Sequence, residues 1–292
     1  MPNATSDVSV DTLIKVLNRN RFMPAPSPDL SDIGDGDFMA IGLEFLRHFV
    51  KVGGLRPRMR VLDIGCGLGR IAMPLTQYLD DAGSYFGFDV SRPAIDWCQE
   101  TITPRYPNFR FAHLDWLQPL YNPGGSLHIT KKTRLPIRRG PYDFVIMTSV
   151  LTHLSRYDMQ VYLSDLPRLL APDGVVFATM FLLDEGRLAA RNKRPLRYDF
   201  VGKGMVDKGM YYLDPVHPHA AVAHEAAAFE EELRRFGLRV VAPVRYGNWD
   251  GIRRARNFQD ICLFGRRDVV ATLSEAGHAA DRELVDSERR SA

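Results

Sequence analysis

Residues 61–70 read VLDIGCGLGR. A short apolar run ends in a turn carrying glycines at 65, 67 and 69, and a helical pattern follows. Glycines let the chain turn sharply here, and bare backbone lets a ligand lie close. A helix starting at this point presents unpaired N–H groups. A strand, tight turn and helix in this order open a crossover unit of the kind that builds a parallel sheet.

The alternation continues. Strands are expected at residues 60–64, 85–90, 109–114, 142–149 and 175–181, with helices at 70–79, 92–102 and 156–170. The run at 142–149 is almost wholly apolar, as befits a parallel strand covered on both faces. Such alternation predicts an α/β fold with a parallel sheet. A helix at 224–236 precedes two strands, 239–245 and 259–265, which read as a closing antiparallel hairpin. Ahead of the sheet, helices are expected at 8–20 and 38–52, joined by a loop rich in Pro, Gly and Asp. Residues 1–54 are thus expected to form a helical segment and lid, 55–268 the main domain, and 269–292 a polar tail. Asp35, Asp37 and Phe38 are the lid candidates.

Two stretches exceed what such a fold needs, 118–140 and 184–223. The first holds Lys131, Lys132, Arg134, Arg138 and Arg139 and no acidic residue; the second holds Arg191, Lys193, Arg194 and Arg197. Long loops in compact domains are commonly functional, although a solvated charge run is the plain alternative. The formal net charge of +3 is too mild for a nucleic-acid partner. The three cysteines, Cys66, Cys98 and Cys262, show no zinc spacing and read as reduced thiols of a cytoplasmic protein. The first twenty residues lack the order of a secretory signal. The longest apolar stretch, 175–183, is far short of the ~18 residues of a membrane span.

Three acidic positions define the expected ligand. Asp63 lies two residues before the first glycine. A carboxylate there would repel a pyrophosphate and attract a sulfonium or ammonium group. The dinucleotide fingerprint also wants glycine at position 70, where this chain has Arg70. Asp89 lies 22 residues after Gly67, a spacing that suits a ribose diol. HLDW, residues 113–116, ends the third strand; Asp115 could accept from an adenine amino group and Trp116 could stack on the ring. Each has a local alternative: Asp63 as a cap, Asp89 as a turn, Trp116 as core. Together they sit at the carboxyl ends of successive strands, where open α/β sheets bind ligands.

On these residues the chain resembles the class I S-adenosylmethionine (SAM)-dependent methyltransferases. VLDIGCGLGR is similar to the family's first motif, FGFDVS to its second, HLDW to its adenine segment and YDFVIMTSVLTHL to its fourth-strand motif. The resemblance implies a Rossmann-like, seven-stranded, mostly parallel sheet with SAM as cofactor. It places Asp63, Gly65 and Gly67 at the methionine part, Asp89 at the ribose, Asp115 and Trp116 around adenine, and Thr148 or Ser149 on the cofactor floor. The stretches TITPRYPNFRF, LQPLYNPGG and RYGNWDGIRRARNFQDICLFGR resemble a bacterial subgroup. No NPPY follows the fourth strand, against amide- and base-directed N-methyltransferases.

Methyl transfer needs alignment of the acceptor and exclusion of water, plus a base only when the acceptor holds its proton tightly. His153, in the loop after the fourth strand, is the candidate base, with a hydrogen-bonded spacer as the alternative. His113 is expected to orient backbone. Trp249 and Asp250, in the closing hairpin, suit a polyol or a cation, or simply a turn. The expected partner is a small-molecule acceptor such as a glycan, glycolipid or secondary metabolite, methylated on oxygen. The basic insert would suit an anionic one. A non-catalytic SAM-binding scaffold and a nicotinamide oxidoreductase are the competing readings.

Overall fold

The computed structural model describes residues 9–30, 36–130, 133–137, 140–191, 197–200, 205–214, 216–255 and 257–266. Asp35, Lys131, Lys132, Arg138, Arg139, Lys193, Arg194 and the tail 269–292 lie outside the described residues.

The frame of the sheet is β1 (Arg60–Ile64), β2 (Ser84–Asp89), β3 (Phe109–His113), β4 (Tyr142–Thr148) and β5 (Leu170–Leu183), with β9 (Leu238–Val240) and β10 (Asp260–Arg266) closing it. The spatial order β3-β2-β1-β4-β5 is parallel throughout. β10 then pairs antiparallel with β5, and β9 with β10, which is the expected closing hairpin. The helices are α1 (Val10–Leu17), α2 (Phe38–Lys51), α3 (Ala72–Leu75), α4 (Arg92–Thr101), α5 (Arg156–Leu169), α6 (Glu185–Arg191) and α7 (Ala226–Arg235).

Side chains alternate across this sheet with the period of two that strands impose. Val61, Phe144, Ile146 and Phe177 bury on one face with Leu46 and Phe49 of α2. Leu62, Val145, Met147 and Val176 bury on the other with Leu163 and Leu166 of α5 and Phe229 of α7. Each such side chain contributes roughly 1.5–3 kcal/mol of transfer free energy. Parallel strands covered on both faces explain why β4 reads as an unbroken apolar run.

Two expectations need correction. The helix at 70–79 is α-helical only over α3; beyond it Gln77 N–H and Tyr78 N–H bond at three-residue spacing, to Pro74 O at 3.2 Å and Leu75 O at 3.1 Å. The segment 184–223 is not a loop. Besides α6 it forms β6 (Met205–Asp207), β7 (Met210–Tyr212) and β8 (Val222–Glu225). β8 runs parallel to the last residues of β5, past the point where β10 lets go, and extends the seven-strand frame to a ten-stranded sheet.

This extension carries its own core of Phe181, Phe200, Tyr211 and Trp249. Arg187 of α6, 1% exposed, holds it to the closing hairpin. Its Nε donates to Asp250 at 2.6 Å, its Nη1 to Asp260 at 2.8 Å and its Nη2 to the Gly247 carbonyl at 2.9 Å. Trp249 Nε1 donates to Asp260 at 2.9 Å and the Trp249 ring lies under the guanidinium. Trp249 and Asp250 are therefore not acceptor ligands. They are buried partners of Arg187, and buried charges persist where they are paired and fully hydrogen-bonded.

Candidate active site

The cavity sits at the carboxyl ends of the strands and has a volume of about 520 Å³. Its floor is the glycine turn. Gly65, Gly67 and Gly69 all have positive φ, at 78°, 48° and 70°. A Cβ at Gly65 would stand 2.6 Å from Val150 Cγ2, so backbone and the β4 loop nearly touch there. The turn is tied to the end of β2: Gly65 N–H and Cys66 N–H both donate to the Phe88 carbonyl, at 2.9 and 3.1 Å. Gly67 N–H donates to Asp89 Oδ2 at 2.8 Å, and Ser91 N–H to Asp89 Oδ1 at 2.8 Å. Two residues 22 positions apart thus meet directly. The donors fix the Asp89 carboxylate at the cavity wall while burial raises its pKa.

Asp63 is fully buried beneath this floor and does not line the cavity. Tyr85 donates its hydroxyl proton to Asp63 Oδ2 at 2.5 Å, and Oδ1 is buried without a hydrogen-bond partner. Burial pushes the Asp63 carboxyl up to about 7, against the Tyr85 bond, which lowers it. A carboxyl easier to protonate in the folded chain than in the unfolded one stabilises the fold fully below its unfolded value. That contribution is lost as pH rises through about 7. The Asp63 contribution to the unfolding free energy of the ligand-free protein should therefore fall between pH 5 and pH 8, so the parent should lose stability relative to Asp63→Asn across that range. Equal slopes in urea titrations of the two proteins would contradict this.

The second wall comes from β4 and its loop. Thr148 and Ser149 both line the cavity. Ser149 is non-glycine with φ 59°, a conformation that persists only where its surroundings enforce it. They do: Ser149 N–H donates to Thr179 Oγ1 at 3.0 Å, Ser149 Oγ donates to Gln259 Oε1 at 2.9 Å, and Thr152 Oγ1 donates to the Ser149 carbonyl at 2.6 Å. Gln259 is a cavity residue that periodicity alone read only as the start of a strand.

His153 also lines the cavity. Its Nδ1 is 2.8 Å from the His219 carbonyl, which can only accept, so Nδ1 carries the proton. Burial lowers the His153 pKa, leaving a neutral ring with a lone pair on Nε2. Tyr121 donates its hydroxyl proton to that nitrogen at 3.2 Å. His219 Nδ1 bonds back to the His153 carbonyl at 3.0 Å, so the extension, the β4 loop and the insert converge on this histidine. Tyr121 lies in the insert, within the LQPLYNPGG stretch that carries the subgroup resemblance, and also lines the cavity; that resemblance gave it no role in the site.

The structure does not bring the HLDW segment to the cavity wall. Trp116 is 5% exposed in the core on the α5 side, edge-on to Tyr162 at 5.7 Å. Asp115 accepts from Ser126 and from Asn122 at 3.2 Å, and these bonds, Ser126 first, hold its pKa below the ordinary carboxylate value. His113 orients backbone, with Nε2 3.1 Å from the Val90 carbonyl.

α2 contributes to the cavity wall. Asp37 caps the helix, accepting from Ala40 N–H at 2.7 Å. A Cβ on Gly42 would lie 2.4 Å from the Arg70 carbonyl oxygen, so α2 seats directly on the turn. Phe38, Ile41 and Phe45 thereby reach the cavity. Arg70 lies under the Phe38 ring at 5.9 Å. Of the five Lys and Arg of the insert, only Arg134 is described, and it pairs with Asp165 of α5 at 3.6 Å instead of lining the cavity.

The donor set fits SAM. Asp89, with backbone donors on one side of each oxygen, keeps lone pairs for a ribose diol. The glycine floor leaves room for a ligand against backbone. The carboxyl of Asp63 beneath it favours positive charge.

Comparison with known proteins agrees. A methyltransferase-domain family model matches residues 39–242. The human tRNA N(3)-cytidine methyltransferase METTL2B is 29% identical over 155 residues, covering 53% of this chain and 35% of that protein. A probable cobalt-precorrin-6B C(15)-methyltransferase of Thermoplasma acidophilum is 36% identical over 63 residues, covering 21% of this chain and 31% of that protein. The chain thus spans about a third of the length of the curated relatives it matches. Among solved structures, the magnesium protoporphyrin IX methyltransferase of Synechocystis PCC 6803 with bound S-adenosylhomocysteine superposes with a TM-score of 0.47 and 21% identity, covering 80% of this chain and 90% of that one. The family match across residues 39–242 shows that this chain belongs to the methyltransferase-domain family.

Proposed function

We propose that this protein transfers a methyl group from SAM to a hydroxyl oxygen of a small molecule. The observation that carries the reading is the Tyr121–His153 pair in the cavity wall, a neutral imidazole already receiving a hydroxyl proton. When bound, SAM supplies an electrophilic methyl carbon whose bond to sulfur breaks, with its electron pair, as the acceptor oxygen bonds to carbon. Tyr121 takes the acceptor's proton on its hydroxyl oxygen while passing its own to His153 Nε2. The His219 carbonyl holds Nδ1–H and steadies the resulting imidazolium. α2 and the glycine turn exclude water and hold the reactants in line. Asp89 would hold the ribose, with Gly65 and Gly67 against the methionine part and Thr148 and Ser149 beside it. Asp115 and Trp116 could reach adenine only after the insert repacks.

The cavity lining supports an apolar acceptor over the anionic one that the basic insert would suit, and over a glycan. Its described charged side chains are Asp89 and Arg70, besides the neutral His153. Three buried free thiols suit a cytoplasmic setting, and no described helix is long and apolar enough to cross a membrane. The tRNA relative supplies a second reading, an RNA base as acceptor. One assay separates them: label from methyl-tritiated SAM should appear in small hydroxy compounds and not in bulk tRNA. Label in tRNA alone would overturn the proposal.

A further inference from the structure

Gln259 holds an unusual position in the cavity wall. Its Oε1 accepts two hydroxyl protons, from Ser149 Oγ at 2.9 Å and from Thr179 Oγ1 at 2.7 Å. Thr179 Oγ1 in turn accepts from Ser149 N–H. With the amide oxygen turned to these two hydroxyls, Gln259 Nε2 has no hydrogen-bond partner among the described residues. A donor in the wall of a cavity, free of protein partners, is available to a ligand atom bearing a lone pair.

What surrounds that donor is aromatic. Phe258, the preceding residue, stands edge-on to Phe181 at 6.0 Å and to Tyr198 at 5.4 Å, and Phe181 and Tyr198 stack at 6.0 Å with their planes 21° apart. All three line the cavity. Phe181 lies near the end of β5 and Tyr198 belongs to the sheet extension, which Arg187 attaches to the closing hairpin. Aromatic faces of this kind receive flat apolar bodies by edge-on or offset stacking.

We infer that Gln259 and the wall of Phe181, Tyr198 and Phe258 form the acceptor subsite, and that the acceptor is a flat aromatic hydroxy compound whose oxygen accepts a hydrogen bond from Gln259 Nε2. The inference rests on the methyltransferase reading and narrows its substrate class. It goes beyond donor recognition, since Gln259 touches the acceptor and Asp89 the cofactor.

Gln259→Glu tests it cleanly. The carboxylate still accepts from Ser149 and Thr179 but has nothing to donate. The protein, saturated with S-adenosylhomocysteine, is titrated calorimetrically with 2-naphthol and 4-hydroxybenzaldehyde, and separately with methyl glucoside and glucuronate. The aromatic compounds should bind and the sugars should not. Gln259→Glu should weaken the aromatic compounds by about tenfold, the loss of one good hydrogen bond, with S-adenosylhomocysteine affinity changed less than twofold. Phe258→Ala, on an exposed position, should weaken them similarly and guards against a misfolded Glu variant. Sugar binding in preference to the aromatic compounds, no aromatic binding to the saturated protein, or unchanged affinity in both variants would overturn the inference. Failure of S-adenosylhomocysteine itself to bind would instead strike the methyltransferase reading.

Discussion

Gly67→Val should leave a folded protein with no measurable affinity for SAM or S-adenosylhomocysteine. Gly67 has φ 48°, a region in which a β-branched residue is a strong outlier. Its N–H holds Asp89 Oδ2 at 2.8 Å, so a shift of the turn to relieve strain also releases the carboxylate proposed to hold the ribose. Gly67 lines the cavity, and a branched side chain there would narrow the space where a ligand meets backbone. Strain, lost alignment of Asp89 and lost volume all act in one direction. The core on both sheet faces does not depend on this side chain, so circular dichroism and the unfolding midpoint should show a native fold. Calorimetric titration reads the outcome. Near-normal affinity would mean that the turn is structural only.

His153→Gln should lower turnover on a hydroxyl acceptor by ~10²–10⁴-fold, the usual contribution of a positioned base. Tyr121→Phe should cost a similar amount, and the double variant little more, since residues acting as one relay are not additive. SAM affinity should hardly change in either. Burial lowers the His153 pKa from its ordinary 6.5, so the parent rate should rise with pH through a group below neutrality. That limb should vanish in His153→Gln. Full activity of His153→Gln on a hydroxyl acceptor would remove the base and leave alignment as the source of rate. Full activity of Tyr121→Phe alone would mean that His153 meets the acceptor directly.

The parts of this site legible along the chain are those whose constraint is local. Gly65, Gly67 and Gly69 announce a positive-φ turn because few other residues adopt it. Asp89 is found by its spacing along one crossover. The closing hairpin was legible too, from two apolar runs either side of a loop. Parts set by distant partners were not. Trp249 and Asp250 looked like a polar binding pair because Arg187, which buries them, lies some sixty residues away in a segment with no clear periodicity. The three strands of that segment are only three or four residues long, too short for a pattern. Gln259 and Tyr121 gain meaning only when β10 and the insert meet the β4 loop.

The central claim is that the cavity at the strand ends is a site for SAM. Calorimetric titration of the purified protein with S-adenosylhomocysteine, with NAD⁺ as the comparison, tests it most directly. The account predicts saturable binding of one S-adenosylhomocysteine per chain, weakened in Asp89→Ala, and no binding of NAD⁺. Saturable NAD⁺ binding with no heat from S-adenosylhomocysteine would contradict it.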